Sequence, residues 1–131
     1  MVDKAIPKFQ LDEQSDLPLW VQIRDRFVYL IDSGYYAPGD QLPSVRKVAA
    51  EERIAYNTVS KAFMSLEREG RIVTRHGSGA YVTESAANMP SDLDVLTEEY
   101  VRTCLGKGVT LAEIAQLVAR TIRRMEGNHE E

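Results

Sequence analysis

The sequence predicts an α+β chain: three short amphipathic helices and a β-hairpin, then two further helices. Three observations carry that expectation. Apolar residues recur at three- and four-residue intervals in five separate segments, the spacing that lines one face of a helix. Two runs rich in β-formers flank a glycine-containing tip between Arg71 and Thr83. The stretch 84–91 has no periodicity and contains Pro90, so it separates the hairpin from the C-terminal helices.

In chain order, Leu19, Ile23, Phe27, Leu30 and Ile31 share one face of a first helix, and Gly34 supplies its stop. Ala37-Pro38-Gly39-Asp40 is a turn, because proline presets φ and glycine accepts a positive φ. Ser44 is the N-cap candidate of a short second helix whose inward stripe is Val45, Val48 and Ala49. A third helix carries Val59, Ala62, Phe63 and Leu66 inward and stops at Gly70. Arg71–Arg75 and Ala80–Thr83 are the strands of a hairpin with His76-Gly77-Ser78-Gly79 at its tip. Two short helices with a tight connection form a helix-turn-helix, and the added hairpin makes it a winged one.

Ser91 or Asp92 caps a fourth helix with Leu93, Leu96, Tyr100, Val101, Cys104 and Leu105 on one side, broken at Gly106-Lys107-Gly108. Thr110 and Glu113 make a capping box for a fifth, whose stripe is Leu111, Ile114, Leu117, Val118, Ile122 and Met125. The tail from Gly127 to Glu131 is expected to fray. Two such helices cannot bury both stripes by themselves. Segment 92–131 is therefore expected to pair with its twin in a homodimer, through Leu93, Leu96, Tyr100, Val101, Leu111, Ile114, Leu117, Val118, Ile122 and Met125. The expected organisation is a winged helix-turn-helix over 1–83, a linker over 84–91 and a dimerisation or effector segment over 92–131.

With 131 residues, 44% hydrophobic and 27% charged, the chain falls in the globular range, which excludes wholesale disorder. Its longest apolar runs, such as Val28-Tyr29-Leu30-Ile31, are far short of the roughly 20 residues that cross a bilayer, so no membrane partner is expected. The N-terminal residues have no apolar core of a secretory signal, and a cytoplasmic location is expected. The lone Cys104 excludes an intramolecular disulfide and a cysteine-based zinc site.

The formal charge of -4 argues at first against a polyanionic partner, but the charges are unevenly placed. Residues 1–41 carry -3, residues 42–83 carry +3 and residues 84–131 carry -4. The basic stretch coincides with the helix-turn-helix and wing, as a local site for double-stranded DNA requires.

The second helix of such a motif enters the major groove, so its outward residues must be short polar or basic groups. Tyr56, Asn57, Thr58, Ser60, Lys61, Ser65 and Arg68 are the expected outward set. Asn57 is suited to an adenine edge, or alternatively to capping the helix, and Lys61 to a phosphate or guanine. At the tip, Arg75, His76, Gly77, Ser78 and Gly79 combine a basic flank with glycines that let backbone approach a groove or phosphate.

Catalysis finds no support. G-x-x-x-x-G-K-[ST], G-x-S-x-G and H-E-x-x-H are all absent, and Gly77-Ser78-Gly79 sits in a hairpin instead of opening a helix. The adjacent pairs Glu51-Glu52 and Glu98-Glu99 diverge around a helix and cannot cooperate as acid and base. His76 has no second ligand at metal spacing. No enzyme activity, metal or cofactor is expected.

The ordered run Pro18-Leu19-Trp20-Val21-Gln22-Ile23, Gly34, Pro38-Gly39-Asp40-Gln41-Leu42-Pro43-Ser44-Val45-Arg46, Asn57-Thr58-Val59-Ser60-Lys61-Ala62-Phe63, Leu66-Glu67-Arg68-Glu69-Gly70 and Gly77-Ser78-Gly79-Ala80-Tyr81-Val82 resembles the GntR family of bacterial transcription regulators. Length and tail resemble its YtrA subfamily, though residues beyond Val82 match only in length and in holding two helices. The resemblance implies phosphate and base contacts from Ser44 and Arg46, a phosphate-binding hydroxyl on Thr58, and minor-groove entry by His76 and Gly77. Where many members have Val-Ser-Arg-x-Thr, this chain has Ile54-Ala55-Tyr56-Asn57-Thr58. Tyr56 either takes over the arginine's reach or makes no contact.

The function implied is sequence-specific repression of a transporter-type operon, relieved by a signal. A small-molecule effector is a further candidate partner, bound at the dimer interface or between domains because the tail is too small to enclose a pocket of the usual few hundred Å³. The competing class is a winged-helix module that docks another protein and never touches DNA.

Overall fold

The computed structural model describes residues 4–90 and 92–129. It has α1 (Leu19–Asp32), α2 (Val45–Glu52), α3 (Tyr56–Arg68), strands β1 (Ile72–Arg75) and β2 (Gly79–Val82), a 3-10 turn (Glu84–Asn88), α4 (Asp92–Gly106) and α5 (Leu111–His129). The chain divides into two compact units, residues 1–91 and 92–131. This is the α+β winged helix-turn-helix with two C-terminal helices that the periodicities predict.

In the first unit the inward stripes meet as expected. Ile23, Phe27, Val48, Val59, Ala62 and Leu66 are all fully buried. Phe27 sits at the centre, with the rings of Phe9 and Phe63 edge-on at 5.4 and 5.2 Å. Phe9 belongs to an N-terminal arm in which no periodic pattern is visible, and the arm is tied down further where Lys4 pairs with Asp40 at 2.9 Å and Tyr35 donates to the Ala5 carbonyl. Burial beside these rings pushes the Tyr36 phenol up to about 12, so it stays protonated.

Stops and caps are set by local chemistry. Ser44 caps α2, its Oγ accepting from the Lys47 N–H at 3.0 Å. Gly34 and Gly70 end α1 and α3 with φ of +88° and +82°. Between α2 and α3 the chain reverses at Arg53, which takes the left-handed conformation (φ 56°) that glycine usually supplies. The hairpin pairs antiparallel from Ile72 opposite Val82 to Arg75 opposite Gly79.

Two expectations need correction. The segment 84–91, expected to be a linker, begins as the 3-10 turn: Thr83 Oγ1 accepts from the Ala86 N–H at 3.2 Å, and Ala86 is fully buried in the core. One turn is too short to show a period in sequence. The tail expected to fray from Gly127 continues α5 to His129. Ser91, one of the two cap candidates for α4, and residues 130 and 131 lie outside the described residues.

The second unit contains α4 and α5. Thr110 and Glu113 form the expected capping box, with the Thr110 N–H donating to Glu113 Oε1 at 2.9 Å and the Glu113 N–H to Thr110 Oγ1 at 3.2 Å. The Thr110 N–H and the Thr110 hydroxyl, which donates to the same Oε1 at 3.0 Å, hold the Glu113 carboxyl below its ordinary range. Among the described residues of these helices only Cys104 and Ile114 are buried. Leu93, Leu96, Tyr100, Leu111, Val118, Ile122 and Met125 are exposed, and Val101 and Leu117 half-buried.

Candidate nucleic-acid interface

Three elements of the first unit converge on one groove of about 470 Å³. Pro43, Ser44, Val45 and Arg46 line it from the start of α2, Tyr56, Ser60, Phe63, Met64 and Glu67 from α3, and Thr74, Gly79 and Ala80 from the hairpin. Ser44, Arg46, Tyr56, Ser60 and Gly79, expected as contact residues from separate motifs, are thus brought together. At the start of α2, N–H groups without intrahelical partners and the positive end of the helix dipole favour an anion. Arg46 lies exposed in that first turn.

The remaining expected residues lie elsewhere on the same unit. Asn57 is exposed and Thr58 half-buried in the first turn of α3. Ala55 occupies the N-cap position, so Asn57 does not cap the helix. Lys61 is exposed, but its ammonium stands 4.8 Å over the ring of Trp20 in α1, a favourable cation–π distance that holds the charge on that flank. Ser65 is not outward: it is 5% exposed and its hydroxyl donates to Glu69 Oε2 at 3.3 Å.

At the wing, Arg75, His76, Gly77, Ser78 and Gly79 are all exposed. The turn closes by a bond from the Ser78 N–H to the Arg75 carbonyl at 2.9 Å, with Gly77 at φ +77° and Gly79 at φ +120°. The Arg75 guanidinium lies 4.8 Å over the Tyr81 ring, which aligns it along the hairpin.

Sequence reasoning misses the side chains that hold these groups. Trp20 under Lys61 and Tyr81 under Arg75 are visible only once helices and strands are packed. Gln41, in the loop before α2, donates from Nε2 to the Ser78 carbonyl at 2.7 Å. Glu67 places a carboxylate on the groove and accepts from the Thr74 N–H at 3.2 Å, tying α3 to β1. Arg71, one of the residues expected in the first strand, precedes it, is 8% exposed and pairs with Glu69 at 3.2 Å and Asp32 at 3.6 Å. Its charge therefore belongs to the packing and not to the basic surface.

Among the described residues no helix is long and apolar enough to cross a membrane, and no group of three His, Cys, Asp or Glu is placed to hold a metal ion.

Comparison with known proteins agrees with this fold. The pattern of the gntR family of bacterial regulatory proteins matches residues 19–82. The chain is similar to the uncharacterized HTH-type transcriptional regulator YhcF of Bacillus subtilis, 33% identical over 107 residues covering 79% of this chain and 88% of that one. It is 46% identical over 77 residues to the HTH-type transcriptional repressor YtrA of the same organism, covering 59% of each. A solved GntR family transcriptional regulator from Listeria monocytogenes superposes with a TM-score of 0.63 at 28% identity, covering 84% of this chain and 98% of that one.

Proposed function

The chain belongs to the GntR family of bacterial regulatory proteins, DNA-binding transcription regulators and not enzymes, and we propose that it acts as a homodimeric, YtrA-like repressor in the cytoplasm. The observation that carries the reading is the groove in which Ser44 and Arg46 of α2, Tyr56 and Ser60 of α3 and Gly79 of the wing stand side by side. In this reading the start of α2 holds a phosphate. The first turn of α3, with Tyr56, Asn57, Thr58 and Ser60, faces base edges, Lys61 reaches the backbone, and Arg75 to Gly79 approach the minor groove.

The second unit supplies the dimer. Leu96, Leu111 and Met125 are 62%, 65% and 59% exposed, an apolar surface that a second copy of the same two helices would cover. A two-fold dimer reads two half-sites about 10 base pairs, or a multiple, apart. The kinship with YtrA supports repression. A transporter-type operon as target and relief by an effector rest on the family alone.

Tyr56 and Met64, 53% and 58% exposed at the groove, are the observation that favours the other class, a protein-docking face. Footprinting on the DNA upstream of the protein's own gene, repeated over a salt series, separates the two. Protection at two symmetric half-sites, with log affinity falling steeply against log salt, supports the repressor. Arg46→Ala is expected to weaken binding in every sequence context if it holds a phosphate, and to relax one base position if it reads an edge. Salt-independent association, or protection with no two-fold symmetry, counts against the reading.

A further inference from the structure

We propose that Gln41 is a positioning residue for the wing: its side-chain amide holds the hairpin tip in the shape in which Arg75, His76 and Gly77 meet DNA. The inference rests on the DNA-binding reading above and adds to it a residue that does not itself line the recognition-helix groove.

Residues 39–42 run beside β2 and are joined to it by an isolated antiparallel bridge. The Gly39 N–H donates to the Val82 carbonyl, the Val82 N–H to the Asp40 carbonyl and the Leu42 N–H to the Ala80 carbonyl, each at 2.9 Å. That pairing sets Gln41 opposite Tyr81. From there the side chain extends toward the tip and Nε2 donates to the Ser78 carbonyl at 2.7 Å. A Cβ at Gly79 would stand 2.8 Å from that same Nε2, so the amide reaches Ser78 across the bare face of the glycine. Gly79 thus serves two needs, its φ of +120° and the close passage of Gln41.

The energetic reason lies in the size of the hairpin. Its strands are four residues each, and a two-stranded ribbon of that length is marginal in water. Beyond β1 and β2 the tip has one backbone turn bond, from Ser78 to Arg75. Gln41 adds a second restraint from outside the hairpin, anchored three residues before the Ser44 cap of α2. An ordered tip gives up less conformational freedom when it binds, which raises affinity without adding a contact.

The test uses the full chain and a duplex that the wild-type chain selects from a random-sequence pool. Gln41→Met keeps side-chain length and removes the donor. Because Gln41 is exposed, the thermal midpoint is expected to stay unchanged while amide hydrogen exchange at residues 76–79 speeds up in the free protein. Affinity for the selected duplex is expected to fall about fivefold to tenfold. In a double-mutant cycle, Gln41→Met and His76→Ala are expected to be non-additive, the double variant binding about as well as the weaker single one. Unchanged affinity in Gln41→Met, additive losses, or no effect of His76→Ala each overturn the proposal while leaving DNA binding intact. A wild-type chain that selects no duplex instead overturns the DNA-binding reading, and this proposal with it.

Discussion

The two units of the chain are built on the same helical periodicity and differ in what covers it. In the first, the stripes of α1, α2 and α3 close on one another: Ile23, Phe27, Val48, Val59 and Leu66 are fully buried. In the second, α4 and α5 also carry apolar stripes, yet Leu96, Leu111, Ile122 and Met125 remain half exposed or more. Three helices, an arm and a hairpin can surround a common centre, whereas two helices meet along a single seam. Hydrophobic spacing therefore states that a face will be covered and leaves open by what.

The sharpest way to break that contrast is to remove the centre of the first unit. Phe27→Ala is expected to cost about 3–5 kcal/mol, because Phe9, Phe63 and Tyr36 all lose their partner, and urea denaturation reads the loss directly. A loss under about 1 kcal/mol would mean that the first unit is not closed on itself. Next in size is Ile122→Asp in the second unit. A charge in a paired apolar face is expected to weaken self-association by about 30-fold or more, seen by analytical ultracentrifugation, while the first unit melts as before. Unchanged association would remove α5 from the interface.

Smaller effects refine the picture within the first unit. Ser44→Ala is expected to destabilise by about 1 kcal/mol through loss of the α2 cap, and to lower DNA affinity in addition if the same turn holds a phosphate. Smallest is the acid response of Asp40. The Lys4 ammonium and the Ala37 N–H hold its carboxyl below the ordinary range, so the folded state binds that proton less readily than the unfolded one. The stabilisation is present above about pH 4 and is lost as pH falls through the depressed value. Asp40→Asn should flatten stability between neutral and acid pH by less than about 1 kcal/mol, since both partners are partly exposed. An unaltered acid transition in that variant would show that the arm is not held by this pair.

Much of the fold is legible in the sequence because its signals are local. Ser44, Gly34, Gly70 and the Thr110–Glu113 box act within a few residues of themselves, and each appears where its chemistry puts it. The reversal after α2 carries no such marker, as Arg53 adopts a left-handed conformation with a side chain ill suited to announce it. The candidate interface is legible in its residue types but not in its arrangement. Asn57 and Lys61 share α3 with Tyr56 and Ser60, yet only the latter pair lines the groove, and Lys61 stands over Trp20. Ser65 reads as polar and outward and is buried, because a helix face is decided by its neighbours and not by the side chain alone.

Five helices and a hairpin, the Ser44 cap, the glycine stops of α1 and α3, the Thr110–Glu113 box and the concentration of positive charge between residues 42 and 83 are all written in the order of the amino acids. Packing was needed to bring Phe9 into the core, to set Arg71 against Asp32 and Glu69, and to carry Gln41 to the wing tip. The reason is range. Propensity, periodicity and capping are set by residues within one or two turns, whereas Gln41 and Ser78 are 37 positions apart and meet only after strand pairing has fixed their register.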